Sequence, residues 1–224
     1  MPARPSAASA DKPSRKVPKR TAGRPKLTDV AQIEQRLLSV ALRAFIEHGY
    51  GASSLTQIVK AAGVSKTTLY SRYASKEQLF HAIMREEIKR IDGAAVLKPR
   101  GPRLDLAEGL KAYANYMLEL NLQGDLLAVN RLIASESHRF PELAAATAER
   151  AELGINRISS FIDDCARADG IACKDAAAVA ETFICMLRGW HMSVMLANRK
   201  VSAAQRQRWV ERAVHTLLSA RADW

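Results

Sequence analysis

The chain has 224 residues, with 34 Lys plus Arg against 23 Asp plus Glu and a formal net charge of +11. A content of 48% hydrophobic but only 6% aromatic residues excludes a wholly disordered chain, a collagen and a disulfide-built miniprotein. The length suits one domain, or one plus a small module, with a core that needs no staples.

The positive charge is concentrated at one end. Residues 1–28 carry Arg4, Lys12, Arg15, Lys16, Lys19, Arg20, Arg24 and Lys26 against Asp11 alone. Residues 29–92 and 93–224 are each close to balanced. The Pro/Ser-rich basic stretch cannot bury enough apolar surface to offset its ordering entropy, so residues 1–28 are expected to be a disordered arm. They also lack the apolar segment of a secretory signal. No later run approaches the roughly 18 apolar residues that span a bilayer. Cys165, Cys173 and Cys185 are odd in number and form no C-x-x-C pair, which fits reduced thiols acting as small hydrophobes. A cytoplasmic protein without membrane contact or metal is expected.

After the arm the periodicity is helical throughout, and an all-α fold is expected. The first helix is expected over about 29–48, with Ile33, Leu37, Val40, Ala41, Ala44 and Phe45 on one stripe and Gly49 as its stop. Three short helices follow. Ser54-Leu55-Thr56-Gln57 and Ser75-Lys76-Glu77-Gln78 have the form of capping boxes. Between them, Gly63 supplies a turn and Ser65 a new N-cap. Helix, short glycine turn, helix is the pattern of a helix-turn-helix. The fourth helix runs from Ser75 to about 92, making 29–92 one unit. Gly93, Pro99, Gly101 and Pro102 then break the pattern. A second unit, 93–224, begins with a loop and a helix opened by Asp105, followed by helices near 125–139, 142–168, 175–198 and 202–221.

The string Gly63-Val64-Ser65-Lys66-Thr67-Thr68-Leu69-Tyr70-Ser71-Arg72-Tyr73-Ala74-Ser75-Lys76-Glu77-Gln78-Leu79-Phe80 resembles the signature of TetR-family transcriptional regulators. So does the first-helix segment Ala41 to Tyr50, and Arg131 to Leu143 is similar to a segment of AcrR-like members. The resemblance implies an N-terminal three-helix DNA-binding domain and a C-terminal helical domain for effector binding and dimerisation.

In a helix-turn-helix the second helix enters the major groove with its N-terminal residues at the base edges. Here those are Lys66, a donor suited to guanine, and Thr67 and Thr68, whose methyls suit thymine. With Leu69 turned inward, Tyr70 and Arg72 are expected to face the DNA backbone. Lys76, Ser54 and Thr56 are further phosphate candidates at helix starts. Tyr73 stands where the family usually carries Phe; it is read as core with its hydroxyl near the surface and kept as a contact candidate. Thr21 to Lys26 contains a Gly-Arg-Pro core, so Arg24 is a candidate for an A·T-rich minor groove.

The second unit is expected to sense a small apolar effector. Candidate lining residues are Phe80, Met84, Tyr113, Tyr116, Met117, Phe161, Met186 and Trp190, because Met and aromatic side chains suit an adaptable cavity. Asn130, Glu136 and His191 are the candidates for orienting it, with His191 read first as a bonded structural histidine. Homodimerisation is expected through the last two helices, on the stripes Val210, Ala213, Val214, Leu217, Leu218 and Val179, Phe183, Met186, Leu187, Trp190, Val194. The reading is a dimeric repressor that binds a palindromic operator, with no cofactor. A DNA-binding architectural protein without effector is the rival, and a fully packed interior would favour it. Catalysis is disfavoured, since no G-x-G-x-x-G, G-x-S-x-G, H-E-x-x-H or Walker loop occurs.

Deleting residues 1–28 is expected to flatten the dependence of DNA affinity on salt, because fewer phosphates are neutralised. Titrations at several salt concentrations check this; an unchanged slope places the arm off the DNA.

Overall fold

The computed structural model describes residues 27–90, 96–97, 105–170, 173–221 and 224. Among these residues there are nine helices of five residues or more and no strand. They are α1 (Leu27–His48), α2 (Leu55–Ala62), α3 (Lys66–Tyr70), α4 (Lys76–Arg90), α5 (Leu106–Asn121), α6 (Gly124–Glu136), α7 (Pro141–Asp169), α8 (Ala176–Leu196) and α9 (Ala203–Ser219). The expected helices are all present, with ends displaced by a few residues at most. Residues 1–26, Arg24 among them, and most of the expected 93–104 loop lie outside the described residues, whereas Leu27 and Thr28, expected in the arm, open α1.

The helix starts follow local chemistry. Ser54 Oγ accepts from the Thr56 N–H at 3.2 Å, and Ser65 Oγ accepts from the Thr68 N–H at 3.0 Å. Ser75 Oγ accepts from the Gln78 N–H at 3.1 Å, and Asp105 Oδ1 from the Glu108 N–H at 3.0 Å. Each bond satisfies a donor that the first helical turn leaves open. At α9 the box is reciprocal, through Ser202 and Gln205. Gly63 ends α2 at φ 66°, a left-handed conformation that favours glycine, and so turns the chain sharply into α3.

Two apolar cores result. In the first, α1, α2, α3 and α4 close around Leu37, Phe45, Ile58, Leu69, Leu79 and Phe80. Phe45, Tyr50 and Phe80 are mutually in ring contact, with centroids 5.3–6.0 Å apart. This core does not stop at residue 92. Val129, Leu132 and Ile133 of α6 and Leu143 and Ala146 of α7 belong to the same cluster, and the Phe140 ring meets Tyr50 edge-on at 5.0 Å. The second core joins α5, the C-terminal half of α7, α8 and α9 through Leu110, Tyr113, Ile158, Phe183, Val210 and Val214.

The helical stripes assigned to a dimer interface are largely internal. Val210, Ala213, Val214 and Leu217 are buried within the chain, as are Phe183, Leu187 and Val194. Val210, Val214 and Leu217 share the second core with Leu110, Tyr113 and Leu118 of α5. An apolar helical stripe needs a covering surface, and periodicity does not say whether that surface belongs to the same chain or to another.

Phe80 is fully buried, so Phe80→Ala is expected to cost about 3–5 kcal/mol of folding stability. Exposed Tyr70→Ala should stay within about 0.5 kcal/mol. Equilibrium urea unfolding followed by far-UV circular dichroism measures both.

Candidate nucleic-acid face and interhelical cavity

Helix α3 is a single short turn fixed by one buried side chain, Leu69, with 0% exposure. That anchor turns Lys66, Thr67 and Tyr70 outward, Tyr70 at 52% exposure. Thr68 is half-buried, and its Oγ1 is 2.8 Å from Ser65 Oγ; the N-cap engages it as well as its backbone N–H. Ser54 is exposed while capping α2, and Thr56 stands exposed beside it.

Arg72, expected to face the DNA backbone, is turned inward together with Tyr73, which was read as core. Glu34 of α1 accepts from Arg72 Nη1 at 2.8 Å on one oxygen and from the Tyr73 hydroxyl at 2.8 Å on the other. Arg72 therefore ties the end of α3 to α1. Tyr73 is core, with its hydroxyl bonded rather than free at the surface. Burial, and then the bond to Glu34, pushes the Tyr73 phenol up to about 12, so it stays a donor at neutral pH.

Lys76 also departs from its expected role. Its ammonium donates to the carbonyls of Tyr50 at 2.7 Å, Gly51 at 3.1 Å and Ser53 at 3.2 Å, and it sits 4.6 Å above the centre of the Tyr50 ring. The loop after α1 presents three carbonyls that no helix satisfies, and a lysine is a three-donor solution. Burial lowers the Lys76 pKa.

The same loop is held from the other side by Glu136, at the end of α6. Glu136 Oε1 accepts from the Tyr50 N–H at 2.9 Å and Oε2 from the Gly51 N–H at 3.0 Å. Gly49, at φ 80°, lets the chain come this close: a Cβ there would stand 2.7 Å from Glu136 Oε1. Glu136 was expected to orient a ligand; it grips the loop between α1 and α2 instead.

A cavity of about 340 Å³ lies between α5, α6, α7 and α8, within the size range of small-molecule sites. Of the expected lining residues, Tyr113 and Met117 form part of its wall, as do Asn130 and His191. Phe80 and Met84 do not, because both are buried in the first core. Phe161 is packed over Gly109, where a Cβ would come within 2.2 Å of its ring. Trp190 stacks on Trp209 with centroids 4.7 Å apart. Tyr116 and Met186 are half-buried and not on the cavity wall.

Sequence reasoning missed the α7 wall: Thr147, Arg150, Ala151 and Gly154. They continue the helical face of Leu143 and Ile158, so an arginine and small residues interrupting an apolar stripe were the available signal. Asn121 organises the polar end. Its Oδ1 accepts from Arg150 Nη2 at 2.6 Å and from Asn130 Nδ2 at 3.0 Å. Its carbonyl accepts from His191 Nε2 at 3.0 Å. Burial lowers the His191 pKa, with Arg150 and Arg188 adding to the effect, which keeps the ring neutral at pH 7.

Residues 37–83 match the family model for bacterial regulatory proteins of the tetR family, and residues 108–221 match that for the AefR-like transcriptional repressor C-terminal domain. The chain belongs to the TetR family.

Among TetR relatives, the transcriptional repressor ComR of Escherichia coli is 39% identical over 72 residues, 32% of each chain. The repressor Rv1474c of Mycobacterium tuberculosis is 30% identical over 128 residues, 56% of this chain and 63% of that one. The present chain thus spans less than two thirds of either relative. The solved structure of the flavonoid-responsive regulator FrrA is 30% identical, with a TM-score of 0.68, covering 85% of this chain and 97% of that one. These TetR relatives are regulators, not enzymes. Among the described residues no helix is long and apolar enough to cross a membrane.

Glu136→Leu removes the acceptor for two N–H groups and is expected to cost about 1–3 kcal/mol. Amide hydrogen exchange should accelerate at Tyr50 and Gly51 and stay unchanged at Val210 in the second core.

Proposed function

We propose that the chain is a homodimeric, sequence-specific DNA-binding repressor of the cytoplasm, released from a palindromic operator by a small, largely apolar molecule held in the cavity. The observation that carries this reading is the outward presentation of Lys66, Thr67 and Tyr70 by a helix whose one buried residue is Leu69. In that geometry the exposed side of α3 can lie in a major groove. Lys66 and Thr67 take the base edges, and Tyr70, Ser54 and Thr56 take phosphates. Arg72, Tyr73 and Lys76 act by holding α3 and the preceding loop in place. Arg24 in the arm remains a minor-groove candidate. The repressor relatives support the sign of regulation.

The cavity supports the effector reading over a purely architectural one, whose interior would be packed. Helix α6 links the two ends: Ile133 and Ala134 stand on the cavity wall, and Glu136, two residues on, grips the loop between α1 and α2. A ligand that fits one position of α6 better than another shifts the population of DNA-competent molecules, and by no more than that difference in affinity.

For the dimer, the inward stripes leave the opposite side of α8, where Ala178, Thr182, Cys185, Gly189, Met192 and Leu196 are exposed. They are small or apolar, and nothing lies within 4 Å of a Cβ built on Gly189. A second copy packed there sets two α3 helices against half-sites about one helical turn, or a multiple, apart.

The test is selection of bound sequences from random DNA with the full chain. One palindromic sequence class is expected, and Thr67→Ala should weaken it by about 1 kcal/mol or more while leaving random-DNA affinity unchanged. Equal loss on both, or no preferred duplex, overturns the reading.

A further inference from the structure

The cavity holds a cation without an anion. Arg150 is half-buried, and desolvation lowers its pKa. Its guanidinium bonds Asn121 Oδ1, and none of its other N–H groups has a protein partner among the described residues. No Asp or Glu lines the cavity among those residues. The carboxylate of Glu87 acts on Arg150 but forms no ion pair with it. Arg188 adds a second positive charge to the wall, and the neutral His191 subtracts none. The rest of the wall is mainly apolar, with Met117, Ile133, Ile184 and Leu187.

A guanidinium withdrawn from bulk water normally comes paired, because desolvating it alone is expensive. A protein that turns one toward a mainly apolar cavity with no carboxylate on its wall has the recognition element for a planar carboxylate, which it can bind with two parallel N–H···O bonds. We propose that the effector is an organic acid, with an apolar chain or ring against the aliphatic wall and one carboxylate on Arg150. This rests on the reading of the cavity as the effector site and names the chemical class that the site selects. The anion ends its approach beside Asn121, within reach of both α5 and α6. Bound charge at that end is therefore felt by the helix that carries Glu136.

The experiment is calorimetric titration of the full chain, without DNA, with two matched probe sets at pH 7. One set is decanoate, 1-decanol and decylamine; the other is 3-phenylpropionate and 3-phenylpropan-1-ol. At least one acid is expected to bind at least about tenfold more tightly than its alcohol, with no detectable binding of the amine. Arg150→Met, which keeps the side chain's bulk, should abolish the preference by weakening the acid about 10- to 100-fold and leaving the alcohol within about threefold. Arg150→Lys should restore part of it. Circular dichroism verifies that each variant is folded; if Arg150→Met is not, Arg188→Met and the wild-type acid-to-alcohol ratio decide.

An alcohol binding as tightly as the best acid overturns the proposal. So does the failure of both acids to bind, or acid binding that Arg150→Met leaves unchanged. Because the titration contains no DNA, a negative result leaves the operator reading standing, and failure of operator selection leaves the acid preference standing.

Discussion

The joint between the two units rests on a carboxylate that two backbone N–H groups hold from one side of a loop, while a lysine holds the carbonyls from the other. Glu136 takes the N–H groups of Tyr50 and Gly51, and Lys76 takes the carbonyls of Tyr50, Gly51 and Ser53. Hydrogen bonds to charged groups are worth about 1.5–3 kcal/mol each. A five-atom cradle of this kind fixes the loop far more firmly than its length alone would. The direction of α2, and with it α3, follows from where that loop leaves α1. The position of α6 is thereby tied to the presentation of Lys66 and Thr67.

A second carboxylate does comparable work within the N-terminal unit. Helix α3 has too few residues to be stable alone. It owes its place to Leu69 beneath it and to Glu34, which takes Arg72 and the Tyr73 hydroxyl together. The Arg72 pair by itself is half-exposed, and such pairs contribute about 0–1 kcal/mol. The buried phenol gives the arrangement direction. The outward residues of α3 are thus displayed by three inward ones, and a short helix can present a chemically defined surface.

Much of this was legible in the chain. Caps, glycine stops and 3.6-residue periodicity are local signals, so the helices, the helix-turn-helix and the inward Leu69 were readable from Ser54, Gly63, Ser65 and Ser75. Glu34, Glu136 and the final duties of Arg72 and Lys76 were not. Their partners are 23–86 residues away, and nothing local distinguishes a lysine that meets carbonyls from one that meets phosphates. The same limit explains the cavity. Met and aromatic residues mark apolar interior without saying which core they join, so Phe80 and Met84 fell to the first core while Thr147, Arg150 and Gly154 formed the wall. The stripes on α8 and α9 were read correctly as apolar and incorrectly as intermolecular.

The stacked indoles of Trp190 and Trp209, 4.7 Å apart and inclined by only 18°, make an optical ruler. Trp190 is followed directly by His191 on the cavity wall, whereas Trp209 belongs to α9. A small rotation of α8 changes the overlap of the two rings, and with it their excitonic coupling and emission. A shift of α8 against α9 can therefore be followed by light absorbed and emitted by the protein itself, with no attached label.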